Sequence, residues 1–200
     1  QPIQKPSVPP PAPGWLASSD HPVDRFVAAK LDAAGIDPAA EADPDTLLRR
    51  ASFALTGLPP TPEERAAFLA DTSADRLEKL VDRLIASTHF AEHWARHWLD
   101  CVRYCETHGS EGDPAIPHAW RYRDWCIRAI RDDVPIDRFM REQIAGDLLP
   151  DPRIDPATGV NESALGIGHL RMVPHGFTPT DPLDELVTFT DNQIDVISKA

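Results

Sequence analysis

Long hydrophobic runs are missing from this chain, and their absence removes one class of protein at once. No stretch approaches the ~18 apolar residues that a membrane-spanning helix needs. Positive charge is in deficit as well. Twenty Lys and Arg stand against 32 Asp and Glu, so the net charge is −12 and the pI near 5.0. That balance argues against nucleic acid as a partner, because such binding is dominated by basic contacts to phosphate. Cysteine is scarce: three residues, an odd number, build no disulfide framework and leave the redox compartment open. Complete signature motifs are absent too. There is no P-loop, no dinucleotide fingerprint and no Cys-x-x-Cys-His haem-attachment spacing. Alternating strands of useful length and internal repeats do not occur either. The first residue is Gln1 and no signal peptide follows it, so the chain reads as a processed or excised piece.

What is there is concentrated between His89 and Trp125. This stretch holds four of the five tryptophans, five of the eight histidines and two of the three cysteines, with Cys126 just beyond it. Phe90, Trp94, Trp98 and Val102 recur at four-residue steps, which predicts a helix over His89–Glu106 ended by Gly109. A second stripe, His89, His93, His97, Cys101 and Cys105, runs at the same step. Each step turns about 40° and rises about 6 Å, so neighbours share a face but distant members do not meet. A His-x-x-x-His pair is one reading of that stripe, as half of a transition-metal site, but it lacks further ligands elsewhere. Parallel Cβ vectors on one helix argue against a Cys101–Cys105 disulfide. The third reading is a packed helix with buried cysteines and hydrogen-bonded histidines, and no metal is expected.

Trp120 to Trp125 interleaves aromatic rings with Arg121, Arg123 and Asp124. Two readings stand. The arginines clamp an anionic group such as a carboxylate, or they form a structural cation–π and salt-bridge seam between two helices. Asp100 and Arg103, three apart, are placed for a local pair.

The remainder reads as helices. Residues 1–19 are a proline-rich linker, expected to be extended. A helical domain follows over residues 20–200. Asp20 caps a first helix, Pro44 opens a second, and Thr61-Pro62-Glu63-Glu64 is a capping box for a third. Ser73 caps a fourth, with Leu77, Leu80, Val81, Leu84 and Ile85 inward. The His89 helix is fifth, and a sixth spans about His118–Asp132. Pro135 opens a seventh, with Phe139, Met140, Ile144 and Leu148 inward. Ala164–Met172 is a short helix in which Gly166 and Gly168 permit close backbone packing. Thr180-Asp181-Pro182 starts the last. The fold class is all-α, an irregular domain of about eight or nine helices rather than a regular bundle.

Four motifs in order, TLLRRASFALTGLPPTPEE, HWARHWLDCVRYCETHG, WRYRDWCIRAI and PIDRFMREQIAGDLLP, resemble the planctomycete cytochrome-c-associated family, a bacterial domain of unknown function. The resemblance spans about Pro22 to Ala200. It carries His97, Trp98, Asp100, Arg103, Tyr104, Gly109, Trp120, Arg121, Tyr122, Arg123, Asp124, Gln143, Gly146 and Asp147. The chain departs from the family at Cys101, Cys105 and Glu106, so the resemblance makes the two cysteines core fillers. It implies an exported protein, periplasmic or surface-associated, whose domain is incomplete at its C-terminus and continues into a haem-bearing segment. On that reading this chain holds no cofactor itself. A haem c is carried downstream, with Arg121, Arg123, His97 and Tyr104 nearest it, and the module tunes electron transfer. Two other classes compete: a polysaccharide-related enzyme using Asp100, Glu106 or Asp124 as acid–base carboxylates, and a purely structural or interaction domain.

Overall fold

The computed structural model describes residues 4–10, 21–109, 112–173 and 181–199, and these form nine α-helices and one 3-10 segment. The fold is all-α; the described residues contribute only two isolated β-bridges, Thr107 with Ala115 and Ile154 with Asn161. No described helix is long and apolar enough to cross a membrane. The chain divides into two compact units, Gln1–Asp43 and Pro44–Ala200.

In the first unit, residues 4–10 carry no regular secondary structure, and α1 runs Pro22–Ala33. Its cap is His21, whose imidazole Nδ1 accepts from Val23 N at 3.3 Å. The expected cap, Asp20, lies outside the described residues.

The second unit holds two apolar clusters. The smaller is built by α2 (Pro44–Thr56), α3 (Pro62–Ala70) and α4 (Arg76–Ile85), from Leu48, Phe68, Leu80 and Leu84. The Thr61 capping box is present: Glu64 N donates to Thr61 Oγ1 at 3.2 Å, and Thr61 N to Glu64 Oε2 at 2.8 Å. Ser73 does not cap α4. Asp71 Oδ1 takes both the Ser73 amide (2.8 Å) and its hydroxyl (2.6 Å), a local turn that delays the helix to Arg76. Only Leu80 and Leu84 are fully buried on α4; Leu77 and Ile85 remain exposed.

The larger cluster draws on α5 (Thr88–Cys101), α6 (Trp120–Arg131), α7 (Ile136–Ala145) and α9 (Pro182–Lys199), with Met172 and Val173 after the 3-10 segment Gly166–Arg171. Trp125, fully buried, lies at its centre between Tyr122 (ring centroids 5.7 Å) and Phe139 (5.1 Å). Its indole Nε1 has no hydrogen-bond partner among the described residues.

Two further expectations fail in this unit. α5 ends at Cys101, not Glu106, because Arg103 takes a left-handed backbone (φ 57°) and turns the chain. Tyr104, Cys105 and Glu106 therefore leave the helix, and Gly109 serves the following loop instead. Ile144 on α7 and Leu148 just past its end are exposed at 55% and 78%, while Glu142 (0%) and Gln143 (3%) face inward. The burial is physically sound because Glu142 is surrounded by donors. Arg138 Nε and Arg153 Nε reach Oε1 at 2.9 Å each, Arg153 Nη2 reaches Oε2 at 2.7 Å, and Ser163 Oγ donates at 2.8 Å. The short α8 (Glu162–Leu165) brings Ser163 there. Gly146 and Gly166 allow this close packing: a Cβ on Gly166 would stand 2.5 Å from Glu142 O, and one on Gly146 would strike Ser163 O. A Cβ on Gly168 would in turn stand 3.0 Å from Tyr122 Cβ.

Candidate functional site: a groove between α5, α6 and α7

α5 presents Phe90, Trp94, His97, Trp98 and Cys101 on one side, the i, i+4, i+7, i+8 pattern of a helix face. α6 adds Ala129 and Ile130 from its last turns. Asp133, held at φ 48°, turns the chain through Val134 and Pro135 so that α7 returns with Ile136 and Phe139. These residues enclose a groove of about 520 Å3. Its walls are mostly apolar, and its polar groups are His97, the Cys101 thiol and the Asp133 carboxylate. Trp94 (43% exposed) and Ile136 (71%) leave large apolar surfaces open at the rim.

Trp98 is fixed in this wall from behind. Its ring meets Phe139 edge-on at 5.0 Å, and its Nε1 donates to Tyr122 OH at 3.0 Å. Tyr122 OH lies 2.8 Å from the Gln143 amide. With its nitrogen toward Tyr122, that amide also lies 3.1 Å from both Gly166 O and His169 Nδ1, three acceptors for its two hydrogens. Burial raises the pKa of Tyr122 and lowers that of His169, so both are neutral at pH 7. A chain of neutral groups thus links the groove wall to the 3-10 segment.

The four residues named for a haem-proximal role do not form one site. His97 lines the groove, edge-on to His93 at 5.2 Å and to Trp94 at 5.5 Å. Tyr104 and Arg123 lie in a second, partly exposed cluster outside the groove: Tyr104 OH donates to Glu106 Oε1 at 2.7 Å, Arg123 Nη1 to the same oxygen at 3.0 Å, and Arg123 Nε to Asp124 Oδ1 at 3.1 Å. Arg121 has its guanidinium over the Trp120 ring at 5.6 Å and no ion pair among the described residues. α5 and α6 pack together, as the spacing of their motifs predicts, but Asp100 and Arg103 do not pair. The left-handed turn carries Arg103 away to Asp195 on α9, at 2.6 Å.

Of the carboxylates proposed for acid–base work, two come together away from the groove and the third stands apart. Glu106 and Asp124 share the Arg123 guanidinium, Asp100 stands exposed on α5, and none of the three lines the groove. The histidine stripe breaks up in the same way. His89 pairs with Glu92 at 3.5 Å, and His93 packs against Gly57, whose missing side chain makes the room. No group of three potential metal ligands converges among the described residues.

All three cysteines are free, and each has its own setting. Cys101 is exposed in the groove, so it is not a core filler. Cys105 is half-buried and donates to Met172 O at 3.3 Å. Burial pushes the Cys126 thiol up to about 12, which keeps it protonated. The groove itself escaped the sequence reading. Its one advance signal was the clustering of Phe90, Trp94, His97, Trp98 and Cys101 on a single helix face.

Residues 22–200 match the model of a protein family described as PSCyt2, protein of unknown function (DUF1549). No curated protein and no solved structure matches the chain.

Proposed function

Because the chain belongs to PSCyt2, a family of unknown function, we propose that it is a helical module of an exported, c-type cytochrome-like protein and that a haem-bearing segment of the same parent packs into the α5–α6–α7 groove. The observation that carries this reading is the groove: its volume lies within the roughly 300–1,000 Å3 of ligand sites, and an open apolar wall is held rigidly from behind. The fit to a haem is to its apolar edge alone. Arg123 is already bonded to Glu106 and Asp124, Arg121 lies outside the groove, and the Asp133 carboxylate would repel a propionate. The anion clamp expected of the two arginines therefore has no support in the geometry.

A bound haem would supply one-electron transfer. The chain's own part is to exclude water from the haem edge through Trp94, Trp98 and Ile136. A drier surrounding disfavours the more highly charged ferric state and raises the reduction potential. The exported, periplasmic or surface location is the one the family resemblance implies.

The test uses tryptophan fluorescence with a c-type haem peptide as probe. Binding is expected to quench the emission saturably. Ile136→Glu removes a large exposed apolar contact and is expected to weaken binding about tenfold or more, from about 1.5–3 kcal/mol for a buried aliphatic side chain. In the parent protein the same substitution lowers the haem potential. Quenching that never saturates, or that Ile136→Glu leaves unchanged, eliminates the groove as the contact.

A further inference from the structure

α9 has two apolar faces, and only one is covered. Phe189 and Val196 turn inward onto the larger cluster, and Gln193 Nε2 donates to Leu170 O at 3.0 Å. On the other side Leu183, Leu186, Val187 and Ile194 are 59–75% exposed, with Ile197 at 37%. Leu183, Val187, Thr190, Ile194 and Ile197 follow one another at alternating steps of four and three. That is the spacing of a seam meeting another helix along its length. Single exposed aliphatic residues are ordinary on protein surfaces. Several large ones aligned along an 18-residue helix form a contiguous patch of the kind that marks an interaction surface.

Charge selects the partner. Asp184 and Asp191 each directly follow a seam position and are exposed. Lys199, the only basic residue of α9, is ion-paired with Asp195. Asp195 also holds Arg103. A second copy of this chain, with net charge −12, would bring like charges against the same flanks. An anionic lipid surface would be repelled in the same way. We infer that the open face of α9 binds a basic amphipathic helix, one whose apolar seam is bordered by Lys and Arg. This surface is separate from the α5–α6–α7 groove and does not depend on the reading given to it.

Fluorescence anisotropy with two labelled peptides tests the assignment. Both carry the same leucine seam over about three heptads; one is flanked by Lys and Arg, the other by Glu. The basic peptide is expected to bind at least about tenfold more tightly, with the difference shrinking as salt is added. Ile194→Asp should abolish binding, and Asp191→Lys should narrow the preference between the peptides. Circular dichroism checks that each variant is folded, and Val187→Asp replaces Ile194→Asp if that variant is not. Equal affinity for the two peptides, failure to bind either, or binding untouched by Ile194→Asp overturns the inference. So does sedimentation in which Ile194→Asp dissolves a dimer of the chain, or recruitment to anionic vesicles that this variant abolishes.

Discussion

Two arginine–carboxylate clusters in the second unit look alike in sequence and differ in physics. Around Glu106, Arg123 and Asp124 the groups are largely open to water, with side-chain exposures of 36–56%. Around Glu142 the carboxylate is fully buried, and Arg138 and Arg153 are 15% and 27% exposed. In water an ion pair gains little, since each charge is already well solvated. In the interior a charge has no such alternative, so breaking the pair strands it. The exposed cluster drew functional expectations because it lies in an aromatic, arginine-rich motif. The buried one lies on a stretch read as ordinary helix, yet it is the one whose loss is expected to cost the fold more.

The largest expected consequence follows from Glu142→Ala. With the carboxylate gone, Arg153 loses a bidentate partner and Arg138 keeps, among the described residues, only Asp151 as an ionic partner. A loss of about 3–5 kcal/mol is expected, read from chemical denaturation. A loss under about 1 kcal/mol would make the two clusters energetically equivalent.

Acid titration sharpens the contrast. Burial works to raise the Glu142 pKa, but hydrogen bonds from Arg153, Arg138 and Ser163 outweigh it and hold the carboxyl below its ordinary value of 4.5. A depressed carboxyl pKa contributes stability that is fully present above the unfolded value and is lost as pH falls through the folded one. Glu142→Gln mimics the protonated carboxyl. The stability gap between wild type and Glu142→Gln should therefore be largest above about pH 5 and should close on further acidification. His169 adds an earlier decline. Burial depresses its pKa from 6.5, so its stabilising contribution is full above that value and fades below it as the imidazole is forced to charge. Denaturation midpoints between pH 7 and 3 for wild type and Glu142→Gln separate the two: both chains share the His169 decline, and only wild type shows the Glu142 one.

The smallest effect belongs to Arg123→Ala. A pair of this exposure contributes about 0–1 kcal/mol, and a loss within that range is expected, diminishing in high salt. A loss comparable to that of Glu142→Ala would show that the exposed cluster is structural after all.

Much of the helical order was legible because local signals and tertiary packing agree. Thr61 with Glu64 marked α3, Pro44 marked α2, and Gly166 with Gly168 marked a close approach that the backbone indeed makes to Glu142 and Tyr122. Failures came where tertiary bonding overrode local pattern. Periodicity extended α5 to Glu106, whereas Arg103 adopts a conformation that hydrophobic pattern does not encode. Hydropathy put Ile144 and Leu148 inward and gave no sign of Glu142, whose compensating Arg153 lies 11 residues away in sequence. Of the four residues named for a site, His97 lies in the groove, while Arg121, Arg123 and Tyr104 do not line it. The groove needs α6 and α7 to be folded against α5 before it exists.

The Arg103–Asp195 pair has a further consequence, for the order in which the molecule assembles. It joins residues 92 apart in sequence, and with Phe189 and Val196 it is part of what holds α9 to the rest of the unit. The Leu48–Phe68–Leu80–Leu84 cluster, by contrast, comes from three successive helices and closes only short loops. Short closures are entropically cheaper and faster, so that cluster is complete before α9 docks. The tie on α9 is a partly exposed ion pair, screened by salt. Amide exchange on α9 should consequently outpace that on α2, and ionic strength becomes a control on how firmly the last helix is held.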